Sequence, residues 1–214
     1  MKKLFISILI MISFPAVSEN FKLQEGDLVF IVDNSASDLV KAIKESTSLK
    51  EEIPFTHVGT MKKENGKIFI LEATSPEGVV KTPLDAYFAK AALLETKPLI
   101  AVGRLKSEYR YAIPSAISNT EQKLGKKYDY AYDEQNDAFY CSELIRLCFL
   151  DSLGTPIFEP LPMSFKNKET GLMDQYWTSH FEKLGVSIPE GKPGTNPADM
   201  AKASVINIVY RYYQ

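Results

Sequence analysis

The segment FTHVGTMKKENGKIFILEAT, residues 55–74, carries two strand-like runs on either side of Asn65-Gly66. That dipeptide between two such runs is the strongest short-range signal for a two-residue hairpin turn. A turn there pairs Glu64 with Lys67, and counting outward sets His57 opposite Thr74 and Gly59 opposite Glu72. Alternate residues of a strand share a face, so these four line one side of the ribbon. His57 and Glu72 are diagonal neighbours on it, with β-carbons about 7 Å apart, within reach of a side-chain hydrogen bond. A carboxylate beside an imidazole holds its tautomer and stabilises the protonated ring. Gly59 leaves the two room to lean together. Taken singly, a strand histidine is ordinarily a packed or surface residue and a strand glutamate a solvated charge. The pairing is what singles them out.

Upstream of the hairpin, Gly26–Val32 reads as a buried strand, and Ser37 or Asp38 caps a short amphipathic helix running to about Ser46. Downstream, Ser75-Pro76-Glu77-Gly78 reads as a turn, and Val79, Val80 and Pro83 lead into a helix near residues 84–89. Residues 98–103 form another apolar strand. Pro114 opens a helix that continues over 116–124 until Gly125 stops it. The polar loop KKYDYAYDEQND (126–137) follows, then a helix, then short Pro- and Gly-punctuated elements, and the strand-like tail 205–212. Strands joined mostly by hairpins, with helices clustered apart from them, predict one α+β domain rather than a doubly wound sheet.

The chain's two cysteines sit in DAFYCSELIRLCFL, residues 137–150. Asn136 or Asp137 is the expected N-cap of this helix, which places Cys141 in its first turn or two. Unpaired backbone N–H groups and the positive dipole end favour a thiolate there. Cys148, between Leu147 and Phe149, reads as a small apolar core residue. Two helical turns separate the pair by about 10 Å, beyond the roughly 7 Å a disulfide tolerates. The same spacing, with only two histidines in the chain, argues against a zinc site. Both thiols are expected to be free.

The chain opens MKKLFISILIMISFPAVSEN. Lys2 and Lys3 precede an apolar run too short to span a bilayer as a typical helix, Pro15 breaks it, and Ala16-Val17-Ser18 offers a cleavage site. Residues 1–18 are therefore expected to be an export signal, followed by one domain over 19–214 in the periplasm or outside the cell. With no cysteine after the run there is no lipid attachment point, and no membrane segment is expected after processing. Composition is that of an ordinary globular protein, 45% hydrophobic and 11% aromatic, with a formal charge of −2. The absence of a basic stripe argues against nucleic acid as a partner.

Gly26-Asp27-Leu28-Val29-Phe30, Phe55-Thr56-His57-Val58-Gly59, Leu71-Glu72-Ala73, Tyr128-Asp129-Tyr130, Tyr140-Cys141-Ser142-Glu143-Leu144 and Gly194–Asp199 followed by Ser204, taken in this order, resemble the YiiX-like family of permuted papain-fold cysteine amidases and peptidases. That family is related to NlpC-type cell-wall endopeptidases. His57 and Glu72 precede Cys141, as in the permuted branch, whereas papain-like enzymes run Cys before His. The resemblance implies a single-domain, circularly permuted papain-like fold, with Cys141 as nucleophile, His57 as general base and Glu72 as third member.

These readings combine into an exported thiol hydrolase that cleaves an amide bond in a peptide, a cell-wall fragment or an N-acyl small molecule. It needs no cofactor or metal, and the Cys141 backbone N–H is the expected oxyanion donor. A second reading is a lipid-directed acyltransferase or lipid hydrolase, since the permuted branch resembles lecithin:retinol acyltransferase. A third is a catalytically silent binding module, against which intact Cys141, His57 and Glu72 count. His180 reads as a packed or surface histidine, and Tyr128, Tyr130, Tyr132 and Tyr140 as a candidate cleft wall. Oligomeric state is not legible.

Overall fold

The computed structural model describes residues 21–214, so the expected export signal lies outside the described residues. Strand β1 (Leu28–Ile31) leads to helix α1 (Asp38–Thr47), capped by the Ser37 side chain. The hairpin of β2 (His57–Glu64) and β3 (Lys67–Thr74) follows. Its paired residues run from Glu64↔Lys67 to Thr60↔Leu71, the register counted from the turn. Asn65 (φ 50°) and Gly66 (φ 77°) both take the left-handed region that a type I′ turn requires. Strand β4 (Gly78–Pro83) and helix α2 (Leu84–Phe88) come next, then the two-residue strands β5 (Leu93–Leu94) and β6 (Lys97–Pro98) and the longer β7 (Ile100–Leu105).

A 3-10 turn at Ser107–Ala112 enters α3 (Ile113–Glu121), and α4 (Cys141–Cys148) carries both cysteines. Short strands β8 (Leu161–Pro162) and β9 (Pro193–Gly194) pair across α5 (Gln175–Leu184), and α6 (Pro197–Met200) precedes β10 (Ile206–Arg211). The main sheet has the order β10-β7-β1-β2-β3-β4, antiparallel throughout. The expected α+β class is the one observed.

Strand alternation splits the sheet's apolar residues between two cores. Leu28, Phe30, Val58, Ala73 and Ala101 meet Leu144, Ile145 and Cys148 of α4 on one face. Val29, Ile31, Met61, Ile70 and Ile100 meet Tyr87 of α2 on the other. Burying a large side chain is worth about 1.5–3 kcal/mol, so the first and larger cluster fixes α4 against the hairpin.

The Gly26-Asp27 motif turns out to be structural. Asp27 is buried, and its carboxylate accepts from Arg104 Nε at 2.7 Å, Arg104 Nη2 at 2.8 Å and the Gln24 N–H at 2.7 Å. Asp129 has a comparable task, accepting the Ala131 and Asp133 amides and the Asn136 side chain, which folds the tyrosine-rich loop before α4.

One expectation is corrected. The N-cap of α4 is Tyr140, not Asn136 or Asp137. Asn136 is occupied inside the loop, accepting the Ala138 N–H, and Asp137 pairs with Lys126. Phe139 then runs extended, hydrogen-bonded to the Lys127 carbonyl, and the helix starts at Cys141.

Candidate active site

His57 is the first residue of β2, Glu72 lies in β3, and Cys141 is the first residue of α4. All three are buried, Glu72 completely. His57 Nε2 and Glu72 Oε2 are 2.5 Å apart, so the diagonal contact read from the hairpin is made. The other ring nitrogen, Nδ1, is left free of Glu72, and Cys141 is close enough to influence the ring's protonation. Gly59 admits this approach. A β-carbon there would come within 2.3 Å of the Ile70 side chain, 2.9 Å of the Leu71 carbonyl oxygen and 3.2 Å of Glu72 Cβ.

Two partners of Glu72 escaped the sequence reading. Its Oε1 accepts from Thr82 Oγ1 at 2.5 Å and from Lys90 Nζ at 2.7 Å. Glu72 pairs with Val80 across β3 and β4, which puts Thr82 on the same face one diagonal step away. Lys90 arrives from the turn after α2.

These contacts set the charge states. Burial works against a charged His57 ring, but its interactions with Cys141 and Glu72, to which the protonated ring donates, and the charges of both push its pKa up to about 10. Burial would likewise raise Glu72, yet the hydrogen bond and charge of His57, joined by Lys90, hold it down at about 2. At neutral pH the site thus contains a carboxylate and an imidazolium. Cys141, at the start of α4, also has a backbone N–H with no intrahelical partner. Cys148 is fully buried, its thiol pKa raised by burial, and both cysteines are free.

A second buried carboxylate lies two residues after Cys141 in α4. Glu143 is fully buried, and its Oε2 accepts the Tyr140 N–H at 3.0 Å. Its Oε1 has no partner among the described residues. Burial, with Asp129, Glu134 and Asp133 nearby, pushes its pKa up to about 8, against the lowering effect of the Tyr140 bond.

Two hollows flank the centre, sharing Ile43, Thr56 and Tyr128 as a common wall. On the sulfur side is a narrow cavity of about 60 Å³ bounded by Cys141, Tyr132, Tyr140, Met163, Trp177 and Pro197. On the ring side is a wider cleft of about 420 Å³ bounded by His57, Thr74, Asp33, Asp38, Tyr130 and Tyr176. The four tyrosines expected near Cys141 are thus divided between these walls. His180 is packed, its Nε2 2.7 Å from the Tyr130 carbonyl oxygen and its ring stacked on Tyr176.

The family model described as "Permuted papain-like amidase enzyme, YaeF/YiiX, C92 family" matches residues 22–210, and the chain belongs to that family. It is accordingly a hydrolase of the papain-like cysteine amidase and peptidase kind. The chain is similar to the uncharacterized protein YiiX of Escherichia coli (strain K12), with 26% identity over 211 residues covering 98% of this chain and 96% of that protein. Its fold is also similar to a crystal structure titled as metalloprotein yiiX from Escherichia coli O157:H7. That match has a TM-score of 0.71 and 23% identity, and covers 91% of this chain and 100% of the other.

Proposed function

We propose that this permuted papain-like amidase cleaves its amide substrate through a Cys141–His57–Glu72 triad and a thioester intermediate on Cys141. The observation that carries the reading is the chain of contacts from Lys90 and Thr82 through Glu72 to His57 and the Cys141 sulfur. Each member of that chain is held by the next, which is how a nucleophile, a base and an orienting group work as a unit.

The steps follow from those positions. The Cys141 thiolate attacks the amide carbonyl carbon, and the Cys141 N–H receives the developing oxyanion. His57 gives its proton to the departing amine as the C–N bond breaks, leaving an S-acyl enzyme. The now neutral ring takes a proton from water, hydroxide equivalent attacks the thioester, and the sulfur leaves as thiolate beside a reprotonated His57. Glu72 keeps the ring oriented and balances its charge throughout.

No step is drawn through a metal. Among the described residues no group of three or more His, Cys, Asp or Glu side chains is placed to hold one, and Glu72 and His57 are engaged with each other. The leader-like residues 1–18 support a periplasmic or secreted location, where peptides, cell-wall fragments and N-acyl compounds are available as substrates.

The test is turnover of peptidoglycan fragments, peptides and N-acyl amino acids by the mature protein, read by mass spectrometry. Cys141→Ala is expected to abolish turnover, and His57→Ala to lower it by roughly 100- to 10,000-fold. Retention of full activity by Cys141→Ala rejects the mechanism.

A further inference from the structure

The two hollows border different members of the triad: the narrow cavity includes Cys141 and not His57, the wide cleft His57 and not Cys141. In acyl transfer the acyl group stays on the sulfur while the leaving group departs past the proton donor. The sulfur-side cavity is therefore positioned for the acyl substituent and the ring-side cleft for the amine. This assignment rests on the proposed role of Cys141.

Size then becomes informative. A water needs about 10–15 Å³ measured in this way, and a cavity of about 150 Å³ holds a benzene. A cavity of about 60 Å³ has room for about four heavy atoms. Met163 lines it and is packed against the chain at Gly194, where a β-carbon would stand 2.4 Å from the Met163 sulfur. Gly194 belongs to the Gly194–Asp199 motif, whose other residues hold this wall in place. The Thr195 N–H donates to Tyr140 Oη at 3.3 Å, and Asn196 caps α6 through the Asp199 N–H.

Three residues of the cavity wall carry buried polar atoms without hydrogen-bond partners among the described residues, Tyr132 Oη, Ser142 Oγ and Trp177 Nε1.

We propose that the cavity lined by Cys141 and Met163 is the acyl-binding pocket, and that it selects compact acyl groups of up to about four heavy atoms over long hydrocarbon chains. The larger, polar part of the substrate then lies on the amine side. Acetyl or glycyl amides fit such a pocket, and a fatty-acyl donor does not.

Activated esters test this without knowledge of the natural substrate. The mature protein is mixed with p-nitrophenyl acetate, butyrate, hexanoate and decanoate at matched low concentrations. The Cys141 sulfur forms a bond to the acyl carbon, nitrophenolate leaves with the electron pair, and the thiol proton rests on His57. Nitrophenolate release gives the rate and intact mass gives the adduct, with Cys141→Ala as control. Acetyl and butyryl are expected to react at least about tenfold faster than decanoyl, and Met163→Ala to raise the hexanoyl-to-acetyl rate ratio several-fold. Rates that stay level or rise through decanoyl, with the adduct on Cys141, overturn the pocket assignment and leave the nucleophile assignment standing. Absence of any Cys141-dependent adduct overturns both.

Discussion

Glu72 and Glu143 are the same side chain, and both are fully buried. Their charge states are opposite. Glu72 is surrounded by His57, Lys90 and Thr82 and stays ionised down to about pH 2. Glu143 has one amide to accept, one oxygen without a partner and three acidic neighbours, and it keeps a proton up to about pH 8. Burial penalises both anions alike. Company, not depth, decides which carboxyl is an anion, and only the first can stabilise an imidazolium.

The largest expected effect comes from removing the ionised one. Glu72→Ala leaves His57 and Lys90 without their shared anion, and breaking a buried pair in this way costs about 3–5 kcal/mol. The midpoint of urea unfolding at pH 7 is expected to fall accordingly. Glu143→Ala, which deletes a neutral group and one helix-cap hydrogen bond, is expected to cost about 1–2 kcal/mol. Equal losses from the two variants would show that Glu143 is charged after all.

A narrower test uses Glu72→Gln, which keeps the shape and removes the charge. Activity is expected to fall about 100-fold at neutral pH. Wild-type kcat is expected to persist on the alkaline side until His57 loses its proton near pH 10. In the variant that limb moves to lower pH, since the ring has lost the Glu72 charge. An alkaline limb that stays in place would mean that Glu72 only positions the ring.

Stability against pH separates the two carboxyls further. Glu143 binds its proton more tightly folded, at about 8, than at its ordinary 4.5. Its contribution is therefore complete below pH 4.5 and is lost as pH rises through 8. Glu72 behaves in the opposite sense, contributing fully above 4.5 and losing that contribution as pH falls towards 2. Glu143→Gln should thus match the wild-type melting temperature near pH 4.5 and exceed it above pH 8. A difference that is constant with pH would contradict the assignment. The smallest expected effect on activity is that of Thr82→Val, which removes one hydrogen bond to a carboxylate worth about 1.5–3 kcal/mol of stability and is expected to lower kcat only a few-fold under saturating substrate.

The legibility of these features in the sequence follows the same division. Asn65-Gly66 sets a register that needs no tertiary information, and His57 and Glu72 could be brought together by counting from it. The turn after Thr74 carries no such constraint on length, so the β3–β4 register, and with it Thr82, could not be counted with the same security. Lys90 reaches Glu72 only because Tyr87 of α2 packs into the core beside Val29, Ile31 and Ile70, a long-range event with no local signature. The helix start was misplaced for a related reason: Asn136 and Asp137 have the chemistry of cap residues but spend it on the loop's own amide and on Lys126. Glu143 was visible as part of a motif, yet its protonation depends on Asp129, Asp133 and Glu134, which the loop fold brings near.

The order of the chain has a consequence for the history of each molecule. His57 and Glu72 are fifteen residues apart and belong to one hairpin, a unit that forms in about 1–10 μs. Cys141 joins them only when α4 docks on that hairpin through a much larger loop, a contact whose closure is entropically dearer and later. A chain still folding, or one that has begun to open, carries a thiol that no imidazole has yet met. Reactivity at sulfur is then a certificate that α4 has docked, absent from any chain in which the hairpin has formed without it.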